Sequence, residues 1–309
     1  MKTYPIWIDC DPGVDDAAAL LLAHWQEETE IVGISTVSGN AYIDQTTENA
    51  LKLCDLMGAS YPVYRGAEKP LFRAYHDGAE FHGKNGFGGA ELPERRREAE
   101  RLPAWDGLYE AAKRYEGSLE LVTLGPLTNI AIALGKHPDL KEKLHRIIMM
   151  GGSATRGNRT PSAEYNIYAD PEAAQAVFRS GIPIVMCGLE VTEEALLLPE
   201  EIDAVGEKNT PVTRFFHAAV QDILKKNMAA GCAGWCVHDA CPIAYLAHPE
   251  LFTAKEAGVF VETQAELTLG KTVTDLYSDK KFGIKNALVV LEVNRPAFAQ
   301  RLTTAVTHI

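Results

Sequence analysis

Four aspartates fall within eight residues near the start of the sequence, in the stretch Ile8-Asp9-Cys10-Asp11-Pro12-Gly13-Val14-Asp15-Asp16. The stretch leaves an apolar strand, passes a Pro-Gly turn and enters a helix rich in alanine and leucine. A carboxylate at a helix N-cap, and another in the first turn, satisfies free N–H groups and suits the helix dipole. That accounts for Asp15, Asp16 or both. It does not account for Asp9 and Asp11, at the end of a strand expected to be buried. Two carboxylates about 4 Å apart repel by roughly 4 kcal/mol at an effective dielectric near 20, whereas the helix dipole returns only about 0.3–1 kcal/mol. Converging carboxylates therefore need a cation or a proton. An all-oxygen donor set favours a hard ion, calcium or magnesium, over zinc.

A second acidic element lies far downstream in Trp235-Cys236-Val237-His238-Asp239-Ala240-Cys241-Pro242. His238 and Asp239 open a helical pattern, from which both side chains can reach a neighbouring strand-end site. In isolation such a pair reads as a cap with a solvated imidazole. Cys232, Cys236 and Cys241 lack the spacing of a zinc site and read as small core residues.

These residues need elements to hold them. Short apolar runs at Ile6–Asp9, Ile31–Val37, Leu119–Leu124, Ile147–Met150 and Pro183–Cys187 read as buried strands. Helical patterns at Asp15–Trp25, Gln45–Met57, Leu127–Leu134 and Pro171–Arg179 separate them. Strands apolar on both faces and alternating with helices predict a mainly parallel central sheet covered by helices on both faces. Ligands of such sheets bind at the carboxyl ends of strands, where the Asp9–Asp16 turn sits. Beyond Val191, Glu193–Leu246 reads as helical and Val259–Val293 as strand-like. The aperiodic segments Tyr75–Pro103, with its Asp77 and Lys84, and Lys226–Val237 read as lid or binding loops. The 309 residues are read as one α/β domain, 1–309, without repeats or linkers.

Composition narrows the partners. A formal net charge of -12 repels nucleic-acid backbones and anionic membranes, so polymeric DNA or RNA is not expected. Neutral small molecules escape that argument. The run from Met1 to Trp7 is too short for a signal peptide, and no uninterrupted apolar stretch approaches a membrane span, so a cytoplasmic location is expected.

The pattern Asp9-x-Asp11-x-x-x-Asp15-Asp16 closely resembles the fingerprint of the inosine–uridine-preferring nucleoside hydrolase family. Further segments stand in that family's order: Val37-Ser38-Gly39-Asn40, Leu124-Gly125-Pro126-Leu127-Thr128-Asn129, Met150-Gly151-Gly152, Glu164-Tyr165-Asn166-Ile167-Tyr168-Ala169-Asp170-Pro171-Glu172-Ala173, and His238-Asp239. The resemblance spans residues 5 to 247, and the chain beyond Pro249 carries no motif. It implies the nucleoside hydrolase fold and calcium-dependent hydrolysis of the N-glycosidic bond of ribonucleosides. It implies Ca²⁺ held by Asp11, Asp16, Asp239 and the backbone carbonyl of Leu124, with ribose hydroxyls and a water completing the shell. Asp11 would be the general base. Asp15, Asn40, Glu164 and Asn166 would hold the sugar, Asp239 would adjoin it, and Asp9 would orient the ligands. His82 and His238 would lie on the base side, His238 as proton donor. A homodimer or homotetramer is implied.

The chemistry suits these residue types. Breaking the bond from C1′ to the base builds positive charge on the ribose, as in glycoside hydrolysis, and surrounding carboxylates stabilise it. The departing base is a poor anion and gains from a proton donor. A phosphoryl-transfer site fits less well, because an acidic pocket repels phosphate. The Lys226–Cys236 segment has Met228 and Trp235 and no tyrosine, where some members of the family place tyrosines against the base; Trp235 reads as either a base-stacking or a core residue, so the preference between purines and pyrimidines stays open.

Overall fold

The computed structural model describes residues 3–76, 78, 82, 83, 85–277 and 282–309; Asp77 and Lys84 of the long glycine-rich segment lie outside the described residues. Its strands are β1 (Tyr4–Cys10), β2 (Thr29–Thr36), β3 (Val63–Arg65), β4 (Leu119–Thr123), β5 (Leu144–Met150), β6 (Ile184–Cys187), β7 (Leu196–Leu197), β8 (Trp235–Cys236), β9 (Phe252–Val261), β10 (Thr272–Asp275) and β11 (Ala287–Val293). Nine of them form one sheet in the order β10-β9-β11-β6-β5-β4-β1-β2-β3, while β7 and β8 pair separately. Every pair from β3 across to β11 is parallel. Only β9 runs against its neighbours, β11 and β10.

Strand residues alternate between two cores, as the two-residue period of a strand requires. Ile6, Ile8, Val122, Ile148, Val185 and Val290 join one core, with the helices Val14–Trp25, Pro211–Ala229, Ala240–Ala247 and Arg295–His308. Trp7, Leu121, Ile147, Met149, Met186 and Val289 join the other, with Ala104–Arg114, Thr128–Lys136 and Pro171–Phe178. This is the expected mainly parallel sheet with helices on both faces.

The strand order fixes where a ligand can enter. From β1 the chain builds outward through β2 and β3, then returns to β1's other side with β4. The connections therefore diverge at the carboxyl ends of β1 and β4, which leaves a crevice there. Asp9 lies on β1 against Thr123 of β4, and Asp11 and Leu124 follow directly.

The expected elements are present with shifted ends. Two regions differ in kind. Glu193–Leu246, read as helical apart from the aperiodic Lys226–Val237, contains the β7–β8 pair. The helix Pro211–Ala229 extends into the segment read as an aperiodic loop from Lys226. No described helix is long and apolar enough to cross a membrane.

Candidate active site

The turn between β1 and the helix Val14–Trp25 is held by its own acidic side chains. Asp16 stands in the first helical turn, and its Oδ2 accepts the Gly13 N–H at 2.8 Å while Oδ1 accepts that of Asp11 at 3.2 Å. The capping role foreseen for an aspartate here belongs to Asp16. Asp9, inside β1, is fully buried; Asn129 Nδ2 donates to its Oδ1 at 2.7 Å and Ser35 donates to the same oxygen. Asp11 Oδ2 accepts the Asn40 N–H at 2.6 Å, and Asn40 Nδ2 donates to Asp16 Oδ2 at 3.1 Å. One asparagine from the β2 end thus ties two carboxylates together. A Cβ at Gly39 or Gly125 would collide with the Asp11 carboxylate, so both strand-end loops need glycine to come this close.

Asp239 stands at the start of the helix Ala240–Ala247 without a side-chain capping hydrogen bond, and comes in from far along the sequence. Asp15, Asp16 and Asp239 each place an oxygen within 4.8 Å of the others. Asp11 adjoins this trio: its charge opposes those of Asp16 and Asp239. Burial pushes Asp16 up to about 6 and Asp9 up to about 7. Asp11 and Asp239 go well above the carboxylate range, driven by burial and then by their acidic neighbours. No lysine or arginine among the described residues forms an ion pair with Asp11, Asp15, Asp16 or Asp239. Asp11 Oδ1 and Asp15 Oδ1 are buried without any hydrogen-bond partner. Buried acceptors are normally satisfied, and a cluster of buried carboxylates with spare oxygens is what a hard cation satisfies. The residues fit such an ion.

Above the cluster lies a cavity of about 300 Å³. Asp15, Asn40, His82, Leu124, Glu164, Asn166, His238 and Asp239 line it, whereas Asp11 and Asp16 lie beneath its floor. A larger cavity of about 380 Å³ lies beside it, sharing Arg159 and Tyr165, but none of its described lining residues is acidic. The acidic residues gather at the smaller one.

Glu164 is an N-cap: its Oε1 accepts the Asn166 N–H at 2.8 Å, and Oε2 those of Gly152 and Ile167 at 2.9 and 3.2 Å. Asn166 Nδ2 donates to the Leu124 carbonyl at 2.7 Å, which leaves that oxygen a second lone pair. His82 Nδ1 lies 3.3 Å from the Val14 N–H and accepts from it, so its proton sits on Nε2. Burial takes His82 down to about 4. His238 is also lowered by burial, against the pull of Asp15. Its Nδ1 pairs with Thr192 Oγ1 at 2.8 Å.

Every described site residue expected from sequence borders the cavity or the cluster under it. Thr192, which orients His238, was not foreseen, nor were Asn158 and Asn227, which line the cavity; none sits in a motif with regular spacing. Trp235 is fully buried and packs edge-on to Phe216, so it is core and not a base-stacking surface. Five of the six cysteines are buried, in keeping with a core role, and Cys232 is half-buried.

The family profile described as inosine-uridine preferring nucleoside hydrolase matches residues 6–300. A curated relative, the non-specific ribonucleoside hydrolase RihC of Escherichia coli O17:K52:H18, is 43% identical over 297 residues, covering 96% of each chain. Among solved structures, the purine-preferring ribonucleoside hydrolase from Gardnerella vaginalis superposes with a TM-score of 0.92 at 32% identity, covering 98% of both chains. A plant nucleoside hydrolase, the PpNRh1 enzyme, gives a TM-score of 0.91 at 28% identity over 99% of each chain.

Proposed function

Because this chain belongs to the inosine-uridine preferring nucleoside hydrolase family, we propose that its acidic cavity is where water cleaves the N-glycosidic bond of ribonucleosides, releasing ribose and a free base. The observation that carries this reading is the buried cluster of Asp11, Asp15, Asp16 and Asp239, with unpartnered oxygens on Asp11 and Asp15. Residues 1–309 are read as one domain of this kind, acting in the cytoplasm as a homodimer or homotetramer on a small neutral substrate.

Asp11, Asp16, Asp239 and the Leu124 carbonyl would hold the ion, and calcium is the ion this reading assigns, because it tolerates mixed carboxylate and carbonyl ligands. When bound it neutralises the clustered charge and makes a water more acidic. Asp11, whose Oδ1 is free, takes the proton from the attacking water. Asp15 and Asn40, which line the cavity, accept from and donate to ribose hydroxyls, and Glu164 and Asn166, which line it too, hold the rest of the sugar. The carboxylates also stabilise the positive charge that grows on the ring as the bond to the base lengthens. His238 presents its remaining ring nitrogen to the base. A Thr192 hydroxyl that donates to Nδ1 leaves the imidazole proton on Nε2, ready for the leaving group.

The relatives divide on the base, one being non-specific and another purine-preferring by name. Ribose release from inosine, adenosine, uridine and cytidine, each with and without a calcium chelator, tests the reading. Release from at least one nucleoside, lost on chelation, is expected. Release of phosphate from a phosphomonoester with no ribose from any nucleoside would overturn it.

A further inference from the structure

Two of the six thiols face the cavity. Cys232 and Cys236 both line it, whereas Cys10, Cys54, Cys187 and Cys241 are buried and do not. Neither of the two holds the ion or acts on the sugar or the base, so the proposed mechanism leaves both unused.

One residue gathers them. Asn227 accepts the Cys232 N–H on its backbone carbonyl at 3.0 Å and the Cys236 N–H on its side-chain Oδ1 at 2.9 Å. The segment between them turns back on itself, and the two thiols are hydrogen-bonded to each other. Their surroundings differ. Cys236 lies in β8, paired with Leu196 of β7, and its thiol donates to the Glu193 carbonyl at 3.6 Å. Burial, and then the neighbouring Cys232 sulfur, push that thiol up to about 12. Cys232 is half-buried and follows Gly231, whose φ of +95° suits glycine alone. Cys236 is therefore the fixed, shielded member of the pair and Cys232 the one a reagent reaches.

We infer that Cys232 and Cys236 form a reversible disulfide when a peroxide oxidant reaches the cavity, and that this bond slows turnover. The Cys232 thiolate attacks hydrogen peroxide and breaks the O–O bond. Its sulfur is oxidised to a sulfenic acid, and the hydroxide released takes up the proton that Cys232 gave. The Cys236 sulfur then displaces the sulfenic hydroxyl, forming the S–S bond, and its own proton leaves with that hydroxyl as a second water. Two thiols and one peroxide give one disulfide and two waters. A covalent bond holds the sulfurs closer than a hydrogen bond does, and Cys236 is anchored in its strand. The Cys232 side must give, drawing on Gly231 and on Ala230, which also lines the cavity. In a reducing compartment such a bond lasts only while oxidant is present. Formation of the bond is independent of the hydrolase reading above; its effect on turnover rests on that reading.

The test treats the full chain with hydrogen peroxide and follows peptide masses and ribose release, before and after dithiothreitol. Chymotrypsin cuts after Trp235, between the two cysteines, so their peptides stay joined only through the bond. Wild type should give the joined peptides and lose at least about 10-fold in kcat/KM, with both changes reversed by dithiothreitol. Cys232→Ser should keep its own untreated rate through the same treatment. Cys236→Ser should give no joined peptides and leave a Cys232 sulfenic acid that dimedone traps; melting temperatures check that both variants fold. Peroxide that yields no joined peptides from wild type, or joins them with kcat/KM unchanged, would overturn the inference. An equal loss of rate in Cys232→Ser would overturn it too, by placing the damage elsewhere. Joined peptides from a wild type that releases no ribose before treatment would uphold the disulfide and overturn the hydrolase reading.

Discussion

Asp16 serves two ends with one carboxylate, holding the backbone of the β1 turn and standing within 4.8 Å of Asp15 and Asp239. This double duty explains why the aspartate cluster was legible at the residue scale. Capping fixes short spacings in the sequence, and the surplus of acids beyond what capping needs points to an ion. Asp239 was legible only through resemblance, because a His-Asp pair at a helix start has an ordinary structural reading. Thr192 was not legible at all. Its role arises from its contact with His238, 46 positions apart, which no local pattern records. Two predictions belong at this scale. Asp11→Ala should lower kcat by more than about 100-fold, several kcal/mol of barrier, while leaving the circular dichroism spectrum unchanged; undiminished ribose release would remove it as the base. His238→Ala and Thr192→Val should both slow hydrolysis of ordinary nucleosides far more than that of p-nitrophenyl riboside, whose leaving group needs no proton. If either variant loses equally on both substrates, its part in proton donation is wrong.

At the scale of elements, the strands around the crevice were readable because a strand covered on both faces must be apolar throughout. Ile6, Trp7 and Ile8, and Leu121 and Val122, show this by dividing between the two cores. The small β7–β8 pair was not readable. Each strand has two residues, too few for a period, and Trp235 and Cys236 are kept in place by pairing with Leu197 and Leu196. The β2-end loop was half legible: Gly39-Asn40 belongs to a motif, but its purpose is seen only where Gly39 makes room for Asp11 and Asn40 bridges to Asp16. Gly39→Ala should therefore force the Asp11 carboxylate aside, costing about 1–3 kcal/mol of stability and at least about 10-fold in kcat. A variant with wild-type melting temperature and turnover would show that the loop yields without disturbing Asp11.

Across the whole molecule, the site draws on residues from Asp9 to Asp239, so the cation and the fold are thermodynamically linked. An ion that binds only the folded chain raises its melting temperature. Protons compete for the same oxygens, and burial has raised Asp16 to about 6. The sign follows: a cation must displace that proton, and those on Asp11 and Asp239, which burial raises further, so the increment in melting temperature given by calcium should grow as pH rises and shrink as pH falls through about 6. Scans with and without calcium at several pH values measure it; an increment that grows on acidification would contradict the carboxylate site. The most direct test is ribose release by the chain after removal of divalent ions, with metal content measured by atomic emission. The account predicts activity lowered by more than about 100-fold, the worth of a few kcal/mol of charge stabilisation, and restored by calcium. Full activity in a preparation shown to be free of metal would contradict it.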